Sequence, residues 1–197
     1  MSNFLVKVLE SAQCEIMANS SCVVVVDNSN IFIEGKKFSA KEKGIYKANQ
    51  FDSDPLDPTW RIDFGNLLLT VSQGRVVEKA ILVGSRPPKS DSVWKTAESQ
   101  GFVVTVHNRT SANEEKAVDT ELVAQGTELI CSLPPMDLVL LSGDRDFVPL
   151  VSVAHRRKWT VEMWAFTNSF RHHGELATCV DHVKHLDDVF GKIGWYE

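Results

Sequence analysis

The chain has 197 residues, with 26 acidic against 21 basic side chains for a formal charge of −5, and is 43% hydrophobic and 24% charged. That balance is ordinary for a globular protein, contains no run of 18 apolar residues that could cross a membrane, and offers no bulk positive field for sequence-independent binding of nucleic acid. The length suits one sizeable core and is short for two.

The elements follow in chain order. Met1 to Met17 carries Phe4, Leu5, Val8, Leu9, Ala12 and Ile16 at helical spacing, interrupted by Lys7, Glu10 and Glu15, which reads as a packing helix and not a signal peptide. Residues 22–27 form a first strand, and a helix runs from about Ser29 to Phe38. Ser39 to Trp60, with Gly44, Asp52, Asp54, Pro55, Asp57 and Pro58, reads as a long excursion and a candidate substrate lid. Ile62, Phe64, Leu67, Leu68 and Val71 suggest a helix ended by Gly74. A second strand is expected over Val76 to Val83 and stops at Pro87-Pro88. A helix over 89–100, a strand from Phe102 to Val106 and a long helix from Asn113 to Ile130 come next. Strand 137–141, helix Phe147 to Arg157, strand Thr160 to Ala165, a short helix Glu175 to Cys179 and a strand near His182 to His185 complete the chain.

Strands alternating with helices imply βαβ crossovers. The expected fold is a three-layer α/β/α sandwich with a mainly parallel sheet of five or six strands. The thiols of Cys14, Cys22, Cys131 and Cys179 form no C-x-x-C pair. Neither a zinc knuckle nor a disulfide framework is indicated, and reduced thiols in a cytoplasmic protein are the expectation.

Two apolar runs lead straight into aspartates: Val23-Val24-Val25-Val26-Asp27 and Leu138-Val139-Leu140-Leu141-Ser142-Gly143-Asp144. Buried parallel strands read as such runs, and ligands of open α/β sheets bind beyond their carboxyl ends. Both carboxylates should therefore leave the same rim. Glu115 and Asp119 share a helix face at i, i+4, with Ala117, Val118, Leu122 and Val123 holding that helix to the sheet, so a third acid should approach the rim. Carboxylates gathered this way raise one another's pKa unless a cation compensates, and all-oxygen ligands favour magnesium or manganese over zinc. Such a site suits hydrolysis of phosphodiesters. Asn30 would orient a phosphate or the attacking water, and Ser142 and Gly143 would add a hydroxyl and a close-approach backbone. Asp146 is either a further ligand or a helix cap, and Arg145 either a phosphate clamp or a structural salt-bridge partner.

Plainer readings stand beside these. A lone strand-end aspartate most often caps a helix, and Asp119 alone would be a solvated helix position. The basic groups Lys36-Lys37 with Lys41, Lys43 and Lys47, Arg86 with Lys89, Arg156-Arg157-Lys158 and Arg171-His172-His173 read first as solvated surface. His182 and His185 have no zinc set near them. Trp94, Trp159 and Trp164 read as core, with base stacking as the minority alternative. No nucleophile elbow, phosphate loop or G-x-G-x-x-G is present.

Val26-Asp27-Asn28-Ser29-Asn30-Ile31-Phe32, Glu115-Lys116-Ala117-Val118-Asp119 and Leu140-Leu141-Ser142-Gly143-Asp144-Arg145-Asp146-Phe147-Val148-Pro149-Leu150 resemble, in order and spacing, the signatures of NYN domains, relatives of the PIN-domain ribonucleases. Ser169, Leu176 and Asp181 are similar to the family's closing segment. The resemblance spans about residues 22–190, leaving 1–21 as a helical extension and 191–197 as a tail. It implies a PIN-like fold and Mg²⁺- or Mn²⁺-dependent RNA cleavage. Asp27, Asp119, Asp144 and Asp146 become the metal-site acids, and Asn30 an orienting amide. Lys36, Lys37, Arg86, Arg109, Lys116, Ser142 and Arg145 are the expected substrate-binding residues. Ala117 stands where many relatives have glycine, and Gln125 where many have a further aspartate, for which Glu121 or Glu115 would compensate.

The implied partner is RNA, with single-stranded DNA as the alternative polymer and homodimerisation left open. Two competing readings are a catalytically weak RNA-binding or regulatory module of the same fold, and an aspartyl-phosphate phosphatase using Asp27. The latter lacks the usual second acid two residues on, where Ser29 stands.

Overall fold

The computed structural model describes residues 20–47, 49, 52–86, 92–108 and 114–197. The expected helix over Met1 to Met17 lies outside them.

Six strands form one parallel sheet: β1 (Ser21–Asp27), β3 (Val76–Arg86), β4 (Phe102–Asn108), β5 (Asp137–Leu141), β6 (Thr160–Ala165) and β7 (His182–His185). Their order across the sheet is β4-β3-β1-β5-β6-β7, and every pairing is parallel. Chain order therefore reverses between β1 and β5, the kind of switch point where open α/β sheets bind ligands.

The Val-rich run of β1 is explained by burial on both faces. Cys22, Val24 and Val26 pack into one core with Val139, Leu141 and Trp164; Val23 and Val25 pack into another with Leu138, Leu140, Val161 and Met163. On the first face lie helices α1 (Asn28–Glu42), α2 (Phe64–Ser72) and α3 (Ser92–Ser99), through Ile31, Leu67 and Ala97. On the second lie α4 (Glu114–Ser132), α5 (Val148–Arg156) and α6 (Glu175–Cys179), through Leu122, Leu150 and Leu176. The three-layer sandwich expected from the alternation is thus the architecture found. Among the described residues no helix is long and apolar enough to cross a membrane.

Three parts differ from the sequence reading. Ile62 belongs to a short strand, β2 (Trp60–Ile62), and Asp63 caps α2 by accepting the Asn66 N–H at 2.9 Å. β2 pairs antiparallel with β8 (Gly194–Tyr196), which follows helix α7 (Phe190–Ile193). Residues 191–197 therefore contribute a helix end and a strand to the fold, with Ile193 only 1% exposed in the first core. A Cβ on Gly35 would collide with the Trp60 ring, so glycine at that position lets β2 lie directly on α1. The helix expected over Phe147 to Arg157 begins instead with a 3-10 turn at Arg145–Phe147, capped by Asp144, before α5 takes over with Pro149 in its first turn.

The Ser39 to Trp60 excursion also takes another form. α1 continues to Glu42, about 22 Å of helix away from Asp27. The chain returns pinned there by Asp57, which is 2% exposed and accepts from Ser39 Oγ at 2.6 Å and from Lys43 Nζ at 2.7 Å. The described part of this segment is a strap over the far end of α1 and not a lid over the acidic rim.

Opposite that rim, Arg75 ties the amino ends of the strands together. Its guanidinium meets Asp137 Oδ2 and Glu162 Oε1, each at 3.0 Å, and donates to the Val71 and Ser72 carbonyls at 2.9 Å. Trp164 Nε1 donates to the same Glu162 oxygen at 2.6 Å. A buried cation flanked by two carboxylates and two carbonyls is compensated on all three of its nitrogens, and removal of the cation would leave the acids without compensation.

Candidate active site

Asp27 is the last residue of β1 and also the N-cap of α1, so the strand runs into the helix with no loop between them. Its register partner Val83 and the alternation along β1 put it on the face that carries α4. The carboxylate is 4% exposed. Oδ1 accepts the Asn30 N–H at 3.1 Å, and Oδ2 accepts the Ser142 hydroxyl at 3.0 Å. Ser142 Oγ in turn accepts the Asp144 N–H at 3.1 Å, linking the two strand ends through one hydroxyl. Burial pushes the Asp27 carboxyl above its ordinary value, against the pull of the Asn30 and Ser142 hydrogen bonds, and the Asp144 charge pushes the same way.

Asn30 closes the crevice from the other side. Its Oδ1 accepts the Gly143 N–H at 3.4 Å, which leaves the side-chain NH₂ as a donor for a ligand. Gly143 is required by a close approach. A Cβ there would collide with Ser169 Oγ and lie 2.8 Å from the Ser169 carbonyl oxygen. Ser169 is thereby the residue that seats the segment after β6 against the Ser142-Gly143-Asp144 loop.

Asp119 lies further out. With Thr120 and Val123 of α4, Arg145 and Asp146 of the 3-10 turn, Val148 and Pro149 at the start of α5, and Glu175 at the start of α6, it lines a cleft of about 520 Å³. The question left open for Asp146 is answered for the cap: Asp144 holds that role, accepting the Asp146 N–H at 3.0 Å, while the Asp146 side chain is exposed on the cleft. Arg145 is also exposed there. Its alternative role in a structural salt bridge finds no partner among the described residues.

The structure thus brings together Asp27, Asn30, Ser142, Gly143 and Asp144, and sets Asp119, Arg145 and Asp146 on the adjoining cleft. Lys36 and Lys37 are not brought to the rim. They stand about 13–15 Å along α1 from Asp27, where Lys36 lies over the Phe32 ring and Lys37 pairs with Glu34 at 2.7 Å. Arg109 lies outside the described residues, as do the side chains of Arg86, Glu115 and Lys116. Gln125 turns away from the cleft, donating to Thr105 Oγ1 at 3.0 Å and Glu121 Oε1 at 2.6 Å, so it ties α4 to β4. Asp181 sits at the opposite end of the sheet, accepting the Val161 N–H at 2.7 Å, and is a structural clamp. Glu175 was missed by sequence reasoning. Nothing in its spacing marks it, because only the docking of α6 brings it to the cleft.

Among the described residues, no three His, Cys, Asp or Glu side chains are close enough to hold an ion between them. The three-acid cluster expected from sequence is therefore not assembled among the described residues: Asp27 and Asp144 are linked as a pair through Ser142 Oγ, and Asp119 lines the adjoining cleft. That pair nevertheless fits a hard dication. Magnesium commonly keeps several waters and takes only one or two carboxylates, and each Asp27 oxygen retains a lone pair beyond the bond it accepts. The same geometry speaks against a phosphatase nucleophile, since Asp27 is sunk and engaged by two donors.

A doubly wound parallel sheet with two carboxylates joined through Ser142 at its switch point defines an α/β domain with a candidate ligand-binding rim. The NYN domain family, a PIN-like nuclease family, matches residues 23–185, and the chain belongs to it. Among solved structures, a Vibrio parahaemolyticus protein of unknown function is similar in fold, with a TM-score of 0.62 and 18% identity over 90% of this chain and 98% of that one. No curated protein matches the chain.

Proposed function

We propose that this chain is a metal-dependent endoribonuclease that hydrolyses RNA phosphodiester bonds at the Asp27–Asp144 rim. The observation that carries this reading is Asp27: a 4% exposed carboxylate, raised by burial and by Asp144, standing where chain order reverses in the sheet. A carboxylate is costly to keep in such a position unless a cation or its chemistry repays it. Family membership supports the reaction class.

Asp27 and Asp144 would hold Mg²⁺ or Mn²⁺, with Asp119 and Asp146 as the acids on the adjoining cleft. When bound, the ion supplies a polarised phosphoryl oxygen and a water of lowered pKa. The chain's own groups do the rest. The Asn30 NH₂ orients a phosphate oxygen or water, and the Ser142 hydroxyl fixes the spacing of the two acids through its 3.0 and 3.1 Å bonds. Arg145 at the cleft wall is placed to pair with the RNA backbone, a contact that positions without reading sequence.

The test is cleavage of labelled structured and unstructured RNA at fixed salt, with magnesium, manganese or chelator, by the wild type and by Asp144→Asn. Metal-dependent cleavage abolished by the substitution, with RNA binding retained, is the expected result. Chelator-resistant cleavage, or cleavage unchanged by Asp144→Asn, would remove this mechanism. The second reading, an RNA-binding or regulatory module with little turnover, draws on the acids forming a pair instead of a triad; it predicts Asp144-independent binding without cleavage by the wild type.

A further inference from the structure

The three tryptophans that sequence reasoning kept as minority candidates for base stacking are closed off: Trp94, Trp159 and Trp164 are 3–4% exposed and sit within the two cores. Aromatic surface stands elsewhere on the rim. The segment after β6 carries Phe170 and His172, and β7 ends at His185; their ring centroids are 5.2 Å apart for Phe170–His172, 5.9 Å for Phe170–His185 and 5.8 Å for His172–His185. Phe170 and His185 are half-buried, and His172 is exposed. Thr167 Oγ1 bonds His185 Nδ1 at 3.2 Å and fixes that ring from below, while Asp187 accepts the Thr167 N–H at 2.8 Å.

This cluster stands beside the acid pair. All six strands of the sheet are parallel, so the ends of β6 and β7 leave the same rim as Asp27. Phe170 and Val183 pack on the second core, and His185, two residues beyond Val183, shares its face, as does Asp27. Ser169, one residue before Phe170, touches Gly143 of the acid loop. On the other side, the Gly174 N–H closes a turn onto the Arg171 carbonyl at 2.7 Å, holding Arg171, His172 and His173 out in solvent, and the next residue, Glu175, lines the acidic cleft.

We infer that His172, propped at 67° to Phe170 and 54° to His185, is the contact face of a stacking platform for a base of single-stranded RNA next to the nucleotide held at Asp27 and Asp144, with Arg171 on the neighbouring phosphate; this rests on the nuclease reading above. Duplex RNA hides its bases, whereas an unpaired strand can splay one onto aromatic and imidazole rings, so the substrate class is unpaired RNA. Stacking tolerates any base, and the exposed side chains of this turn are one guanidinium and two imidazoles, Arg171, His172 and His173.

The test uses the full chain with single-stranded RNA oligonucleotides carrying 2-aminopurine at successive positions, on the Asp144→Asn background for binding and the wild-type background for cleavage. Fluorescence quenching at one position beside the cleavage site is expected. His172→Ala should abolish that quench and weaken binding about 5- to 150-fold, His172→Tyr should restore both, and an abasic nucleotide at that position should cost the wild type as much as the His172→Ala substitution does while costing the variant nothing further. Because His172 is exposed, thermal unfolding should be unchanged by either substitution. If wild-type cleavage depends on Asp144 while His172→Ala alters neither quench nor affinity, the platform is refuted and the nuclease reading stands. If the wild type neither binds nor cuts RNA, the nuclease reading fails and the platform with it.

Discussion

Replacing Asp27 by Asn should stabilise the folded chain while it removes activity. Asparagine caps helices as well as aspartate does, so the bond to the Asn30 N–H survives, and Ser142 Oγ can rotate to accept from the new amide. Both hydrogen bonds lose their charge assistance, at about 1 kcal/mol each. Against this, the native carboxyl is held above 3.8 by burial and by Asp144, so desolvation and repulsion outweigh the two bonds. The expected sign is a net gain; single stabilising substitutions commonly add about 0.5–2 kcal/mol, and for a domain of this size each kcal/mol moves the melting temperature by about 2–4 °C. The sign with pH is fixed as well. The folded wild type keeps its Asp27 proton to higher pH than the unfolded chain does, so it loses stability as pH rises from 3.8 through the folded value. Asp27→Asn lacks that slope, and its advantage should vanish below 3.8 and grow as pH rises toward and through the folded value. The assay is urea and thermal unfolding across pH in chelator, repeated with Mg²⁺. Saturating ion should reverse the order, since binding at a hundredfold excess over Kd adds about 2.7 kcal/mol to the wild type alone. A variant less stable than wild type at pH 7 in chelator would refute the reasoning and leave Asp27 as an ordinary helix cap.

Three further outcomes are expected. Arg75→Ala should cost about 3–5 kcal/mol in urea unfolding, because Asp137 and Glu162 lose the cation between them; a loss below 1 kcal/mol would mean that solvent compensates these acids. Gly143→Ala should lower stability by about 1–3 kcal/mol and cleavage along with it, and adding Ser169→Ala should give only partial rescue, because the Ser169 carbonyl remains 2.8 Å from the new Cβ. Gln125→Asp should leave the metal requirement of cleavage unchanged, since that side chain faces Thr105 on β4; an altered metal dependence would show that α4 presents a different face to the cleft.

The central strands were legible because burial on both faces forces continuous Val and Leu runs, and β6, α6 and β7 carry their boundaries in the sequence. β2 and β8 were not, as three residues are too few for a period and their pairing joins Trp60 to Tyr196 across most of the chain. Ile62 stands two residues before Phe64 and five before Leu67, outside the i, i+3, i+4, i+7 series of Phe64, Leu67, Leu68 and Val71, and the Asp63 cap marks the break. At the site, the two rim aspartates were visible as strand ends. The Ser142 bridge, the Asn30–Gly143 bond and the Ser169 contact depend on how loops meet, which spacing does not encode. Gln125 misleads for the same reason, since its role follows from which flank of α4 it occupies.

The junction of β1 and α1 has a consequence for how this scaffold can vary. With Asp27 serving as both the end of the strand and the start of the helix, one inserted residue would rotate α1 by about 100° and carry Asn30 away from Gly143. The hinge-free joint is therefore a fixed datum against which the acids are set, and changes in what the rim accepts must be written into the longer connections on either side, above all the turn that carries Arg171 and His172.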